Sequence, residues 1–104
     1  LKKPRKKSKP KKPVNIFGKI VPVYLAKDLV TDQPVFGCFD PATWTIYLDD
    51  SQTKPELLET LIHEMGHALM QRLYLVGVID PKIIEIIVEG YTHVMIENFK
   101  LTKR

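Results

Sequence analysis

Three histidines are all this 104-residue chain contains, and two of them stand four residues apart in His63-Glu64-Met65-Gly66-His67. On an α-helix, residues i and i+4 share a face. Two imidazoles so placed can bind one zinc ion, and the intervening glutamate can reach a water beside it. The chemistry on offer is metal-assisted hydrolysis with Glu64 as general base. A catalytic zinc takes three protein ligands and keeps a fourth position open. His63 and His67 supply two. Glu89 is the expected third, because a hairpin of two helices would return it to the histidine pair. Glu85 and His93 are rivals for that place.

The motif lies inside a strong helical pattern. Thr53-Lys54-Pro55-Glu56 is a capping box with proline in the first turn. Leu57, Leu58, Leu61, Ile62, Met65, Leu69 and Leu73 then follow at helical spacing, and the helix should end before Gly77. Gly66 within it costs about 1 kcal/mol against alanine. A close backbone approach would account for it, with Glu89-Gly90 expected opposite. A second helix is predicted from Asp80-Pro81, an N-cap followed by proline at the first helical position. Ile83, Ile84, Ile86, Ile87, Val88, Val94, Met95, Ile96 and Phe99 make it apolar around much of its circumference. That predicts burial on more than one side. The short connection predicts antiparallel neighbours.

Upstream, residues 14–48 read as short strands. Lys19–Leu25 is apolar and β-branched, with Pro22 marking an edge strand or a bulge. Val35–Phe39 and Thr43–Leu48 flank the turn residues Asp40-Pro41-Ala42 and predict an antiparallel hairpin. Within it Trp44, Ile46 and Leu48 point one way, and Thr45 and Tyr47 the other. The expected fold class is therefore α+β: about three strands, antiparallel or mixed, packed on two helices.

Eight of the sixteen Lys and Arg residues fall in positions 1–13, together with three prolines and no acid. Such a stretch cannot build a core and reads as a basic, disordered arm. The domain over 14–104 keeps eight cations against twelve acids, a balance of −4. The arm suits phosphates of nucleic acid or another acidic partner, or else serves only solubility. It carries no aromatic residue, which argues against base stacking from the arm itself. Cys38 is the sole cysteine, so no internal disulfide is possible, which fits a reducing compartment. No apolar run approaches a membrane span, and no signal-peptide core is present. The start at Leu1 rather than methionine is what a processed product or a fragment would show.

His63-Glu64-Met65-Gly66-His67 followed by Glu89-Gly90-Tyr91 resembles the gluzincin metallopeptidases over roughly residues 35–99. In size, and in the strand pair before the helix, the chain also resembles the small phage and bacterial zincins of the ImmA/IrrE type. The resemblance implies a minimal zincin holding one Zn2+ through His63, His67 and Glu89. Glu64 would be the base that activates water. The strand Thr45–Leu48 would run beside the cleft and pair with an extended substrate. Tyr91 and His93 would be candidates to hold the oxyanion. Several gluzincins place an aspartate four residues after the ligating glutamate, where this chain has His93. No pattern for the upstream helix usual in zincins is read in the sequence, which makes the expected fold minimal and a partner a candidate to complete the pocket.

The expected function is hydrolysis of a peptide bond in a protein substrate, in the cytoplasm of a bacterial or phage-infected cell. The alternative is a weakly active or inactive zincin-fold protein. It would act as a nucleic-acid-associated or virion component through its basic arm, within a larger assembly.

Overall fold

Apolar side chains alternate along the strands, and that alternation sets one face of the sheet against a helix. The computed structural model describes residues 8–27 and 35–99. Four strands form one mixed sheet: β1 (Ser8–Ile16), β2 (Lys19–Ala26), β3 (Gly37–Asp40) and β4 (Thr45–Asp49), in the order β1-β2-β4-β3. The pairs β1–β2 and β3–β4 are antiparallel, and β2–β4 is parallel. Two helices follow, α1 (Lys54–Arg72) and α2 (Pro81–Phe99). The fold is thus α+β, with one strand more than the sequence pattern suggests.

The main core lies between the sheet and α1. Ile16, Val21, Val23, Phe39, Ile46 and Leu48 face Ala68, with Trp44, Leu57, Leu61, Met65 and Leu69 packed around them. Burying each such aliphatic side chain contributes about 1.5–3 kcal/mol. Trp44, Ile46 and Leu48 therefore share a face as expected. On the opposite face Tyr47 stacks on Tyr24 at 5.9 Å. Buried Cys38 has its thiol pushed up to about 11 by burial, which keeps it protonated and inert.

The extra strand falls where a disordered arm is expected. From Ser8 onward the basic segment pairs with β2, so residues 8–13 are strand, while residues 1–7 lie outside the described residues. The composition is compatible with this because β1 is an edge strand, where proline and lysine are tolerated. The register shifts between Lys11 and Val14, which places Lys12 and Pro13 in a bulge. Pro22 falls opposite that bulge, one residue before the parallel ladder with β4 begins at Val23. Of the two readings of Pro22, the bulge holds, and β2 is an interior strand.

β4 is interior too, so the edge that borders the helices is β3, not Thr45–Leu48. The second helix also differs from expectation. It docks on α1 through one stripe, Ile84 and Val88 with Met70, and leaves Ile83, Ile86, Ile87 and Val94 exposed. The apolar circumference is not matched by a second packing partner among the described residues. No described helix is long and apolar enough to cross a membrane.

Three turns hold an aromatic residue in the left-handed region: Phe17 (φ 49°), Trp44 (φ 52°) and Tyr74 (φ 60°). Glycine or asparagine is usual there, and a bulky residue costs about 1 kcal/mol. Phe17 and Gly18 form the two-residue β1–β2 turn, with Asn15 Oδ1 accepting from the Gly18 N–H at 2.9 Å. Tyr74 occupies the glycine position just past the end of α1.

Candidate metal centre

Helix α1 begins where the sequence places it. The Thr53 hydroxyl accepts from the Glu56 N–H at 3.3 Å, and the Glu56 carboxylate accepts from the Thr53 N–H at 2.9 Å. This reciprocal cap fixes the phase of the helix. Leu57, Leu61, Met65 and Leu69 turn to the sheet, which sets His63 and His67 toward α2. At the start of α2, Asp80 Oδ1 accepts from the Lys82 N–H at 2.8 Å. The helices run antiparallel, as three contacts prove: Met70 meets Ile84, His67 meets Glu85, and His63 meets Glu89.

The close approach between them occurs at Gly66. A Cβ there would lie 2.9 Å from Cγ1 of Val88. The partner is Val88 rather than Gly90, which faces open space. This packing brings two carboxylates to the histidine pair. Glu85 receives both imidazoles, Nε2 of His63 on Oε1 at 2.9 Å and Nε2 of His67 on Oε2 at 3.2 Å. Glu89 lies 3.1 Å from Nδ1 of His63.

The donor set fits zinc. One atom each from His63, His67 and Glu85 falls within 4.8 Å of the others. Two imidazoles and a carboxylate are a donor set that zinc accepts. The third donor of this cluster is therefore Glu85. Glu89 lies on the other nitrogen of His63, where a carboxylate fixes the tautomer that leaves Nε2 free for metal.

Glu64 lines two cavities beside the histidine pair, one shared with His63 and the other with His67. It is 9% exposed, and burial pushes its carboxyl up to about 7, with His63 pulling the other way. Burial also lowers His67, favouring the neutral imidazole that binds metal. Two cavities of about 430 and 350 Å³ meet at Glu64, and Val35 and Gly37 line both. The first is rimmed by Glu56, Glu59, Thr60, His63, Glu89 and Thr92. The second extends past His67 to Gln71 and Val76.

Gly37 opens β3 and sits against α1. A Cβ at this position would lie 2.5 Å from Cγ2 of Thr60 and 3.4 Å from Cγ of Glu64. The edge strand and Glu64 are therefore neighbours. Gln52 secures the junction: its amide donates to the carbonyls of Phe36 and Asp49, both at 3.1 Å, and its Oε1 accepts from the Thr60 hydroxyl at 2.7 Å. Neither Gln52 nor Thr60 carries a sequence signal, because their roles depend on a loop meeting a helix. Glu85 does carry one. It forms an i, i+4 carboxylate pair with Glu89 that mirrors the i, i+4 histidine pair.

His93 is exposed, and neither His93 nor Tyr91 lines either cavity beside Glu64. The α2 residue that does so, beyond Glu89, is buried Thr92, whose hydroxyl donates to the Val88 carbonyl at 2.8 Å. The inward stripe through Ile84, Val88 and Thr92 turns the neighbouring Tyr91 and His93 aside. Comparison of the chain with protein-family models, with curated proteins and with solved structures returned no match.

Proposed function

We propose that this protein is a zinc-dependent metallopeptidase with His63, His67 and Glu85 as ligands. Glu89 would orient His63, and Glu64 would act as general base. The observation that carries this reading is the convergence of both histidine Nε2 atoms on the Glu85 carboxylate, with buried Glu64 on a cleft that His63 also lines. A bound zinc ion would supply Lewis acidity, acidifying a water and polarising the scissile carbonyl. Glu64 would accept a proton from the attacking water and pass it to the departing amide nitrogen.

The substrate class follows from the cleft. Among the described residues β3 is an edge strand, and strand addition along it would seat an extended peptide. Glu56 and Glu59 rim the same cavity and favour basic side chains on that peptide. A purely structural role gives no reason for a buried carboxyl beside a histidine pair.

The test is elemental mass spectrometry of the purified protein together with cleavage of an unbiased peptide mixture. One zinc per chain and metal-dependent cleavage are expected. Glu64→Gln should keep the zinc and lose cleavage. Full activity in that variant, or a parent that takes up no zinc, would overturn the reading.

A further inference from the structure

A second cavity site lies at the opposite end of α1 from its N-cap. A cavity of about 300 Å³ is lined by Lys19, Trp44, Gln71, Arg72 and Tyr74. It holds two cations and two aromatic rings, and none of its lining residues is acidic. Lys19 Nζ stands 5.1 Å from the centre of the Trp44 ring. Arg72 is the last residue of α1, and its Nε is buried without a hydrogen-bond partner among the described residues. A buried donor left unmade is costly and calls for a ligand.

The backbone around the cavity adds an independent observation. Phe17, Trp44 and Tyr74 are the only non-glycine residues with positive φ among those described, and all three are aromatic. They come from three separate turns. Trp44 and Tyr74 line the cavity, and Phe17 stands two residues before Lys19 in the adjoining turn. Phe17 and Tyr74 are 71% and 79% exposed, so packing within the chain does not explain their presence in a backbone region that favours glycine. Strain of this kind is retained where the side chain has work to do. Lys9 and Lys11 face the same side of the sheet, since they pair with Leu25 and Val23, in phase with Val21 and Lys19.

Flat rings interleaved with cations suit one polymer best. Phosphates pair with Lys and Arg, and bases stack on the rings. We propose that this end of the molecule binds single-stranded nucleic acid. In this site Arg72 and Lys19 hold a phosphate, and Trp44 and Tyr74 receive a base. A bilayer fits less well, because the two cations and two rings line a cavity that a flat surface does not enter. Gln71 lines both this cavity and the one beside His67, so a bound strand would lie one side chain from the proposed cleft. The inference does not depend on the metal reading.

Trp44 is the sole tryptophan, so its fluorescence reports on this site alone. The experiment titrates the full chain with a single-stranded oligothymidylate of about twelve nucleotides, within the usual range of site sizes. Saturable quenching that weakens steeply with added salt is expected. Arg72→Ala and Tyr74→Gly should each weaken binding at least about fivefold. Tyr74→Gly relieves the left-handed backbone, so its effect cannot be ascribed to loss of fold. A duplex of equal length should quench less, and thymidine monophosphate should compete only at far higher concentration. Three results would overturn the proposal: no quenching, equal quenching in both variants, or equal binding by the mononucleotide. A response to anionic vesicles but not to the oligonucleotide would overturn it in favour of a membrane surface.

Discussion

The Glu89 carboxylate lies 3.1 Å from Nδ1 of His63, while the Nε2 of that ring is 2.9 Å from Glu85. One imidazole is thus held between two carboxylates one helical turn apart. The two glutamates cannot be equivalent toward a metal. Glu85 also meets His67 and completes a three-donor set, whereas Glu89 acts on the far side of one ring.

That inequality predicts an order of effects. Glu85→Gln should reduce zinc affinity beyond about 100-fold, and Glu89→Gln by about 10- to 100-fold, the range for a residue that only orients a ligand. Competition with a chromogenic chelator measures both. The reverse order would make Glu89 the ligand.

The helix contact that aligns these residues is equally specific. Gly66→Ala puts a methyl 2.9 Å from Val88, and overpacking of this kind costs about 1–3 kcal/mol. Alanine returns about 1 kcal/mol of helix propensity, so a net loss of about 1–2 kcal/mol is expected in urea unfolding. Zinc affinity should fall with it, because α2 must shift outward and carry Glu85 away. In a Val88→Ala background the same substitution should become neutral or stabilising. An unchanged penalty there would mean that Val88 is not the obstacle.

These contacts mark the limit of what the sequence makes legible. The capping box at Thr53 and the Asp80-Pro81 start are local signals that stand as read, and the antiparallel hairpin is present with its turn moved to residues 41–44. The placement of His63, Glu64 and His67 on one helix also stands as read. The choice between Glu85 and Glu89 is different in kind. It depends on where α2 slides along α1, and Val88 seated on Gly66 decides that from 22 positions away in the chain. β1 was hidden for a related reason. Its lysines and prolines disfavour structure on their own, and only pairing with β2 makes residues 8–13 a strand. The aromatics at Phe17, Trp44 and Tyr74 were equally illegible as turn residues, since glycine is what a left-handed turn leads one to expect.

The burial of Glu64 predicts how the protein without metal responds to pH. Glu64 has its carboxyl raised from 4.5 to about 7, chiefly by burial, with Glu85 adding to the rise and His63 opposing it. Between those values the unfolded chain has lost the proton and the native state keeps it. The native state therefore loses stability as pH rises from about 4.5, and the full cost applies above about 7. The interval corresponds to about 3 kcal/mol at most. Glu64→Gln removes the cost, so it should stabilise the chelator-treated protein at pH 8 and leave it unchanged at pH 4. His67, lowered by burial, works in the other direction and is common to both proteins, so the difference between them isolates Glu64. Equal stability of parent and variant at pH 8 would show that the carboxyl is not desolvated.

Tyr74 offers a separate test of stored backbone strain. It stands just past the α1 C-cap at φ 60°, its N–H bonded to the Gln71 carbonyl at 3.1 Å, with the ring 79% exposed. Glycine adopts this conformation freely, whereas a side chain costs about 1–2 kcal/mol. Glycine also gives the unfolded chain more freedom, which offsets about half of the gain. Tyr74→Gly should therefore raise stability by about 0.5–1 kcal/mol in thermal or urea unfolding, although it deletes an aromatic residue. Tyr74→Ala is the control, since it removes the ring and keeps the strain, and it should bring no such gain. If alanine stabilised as much as glycine, the ring rather than the backbone would be the unfavourable element, and the case for strain at this turn would fall.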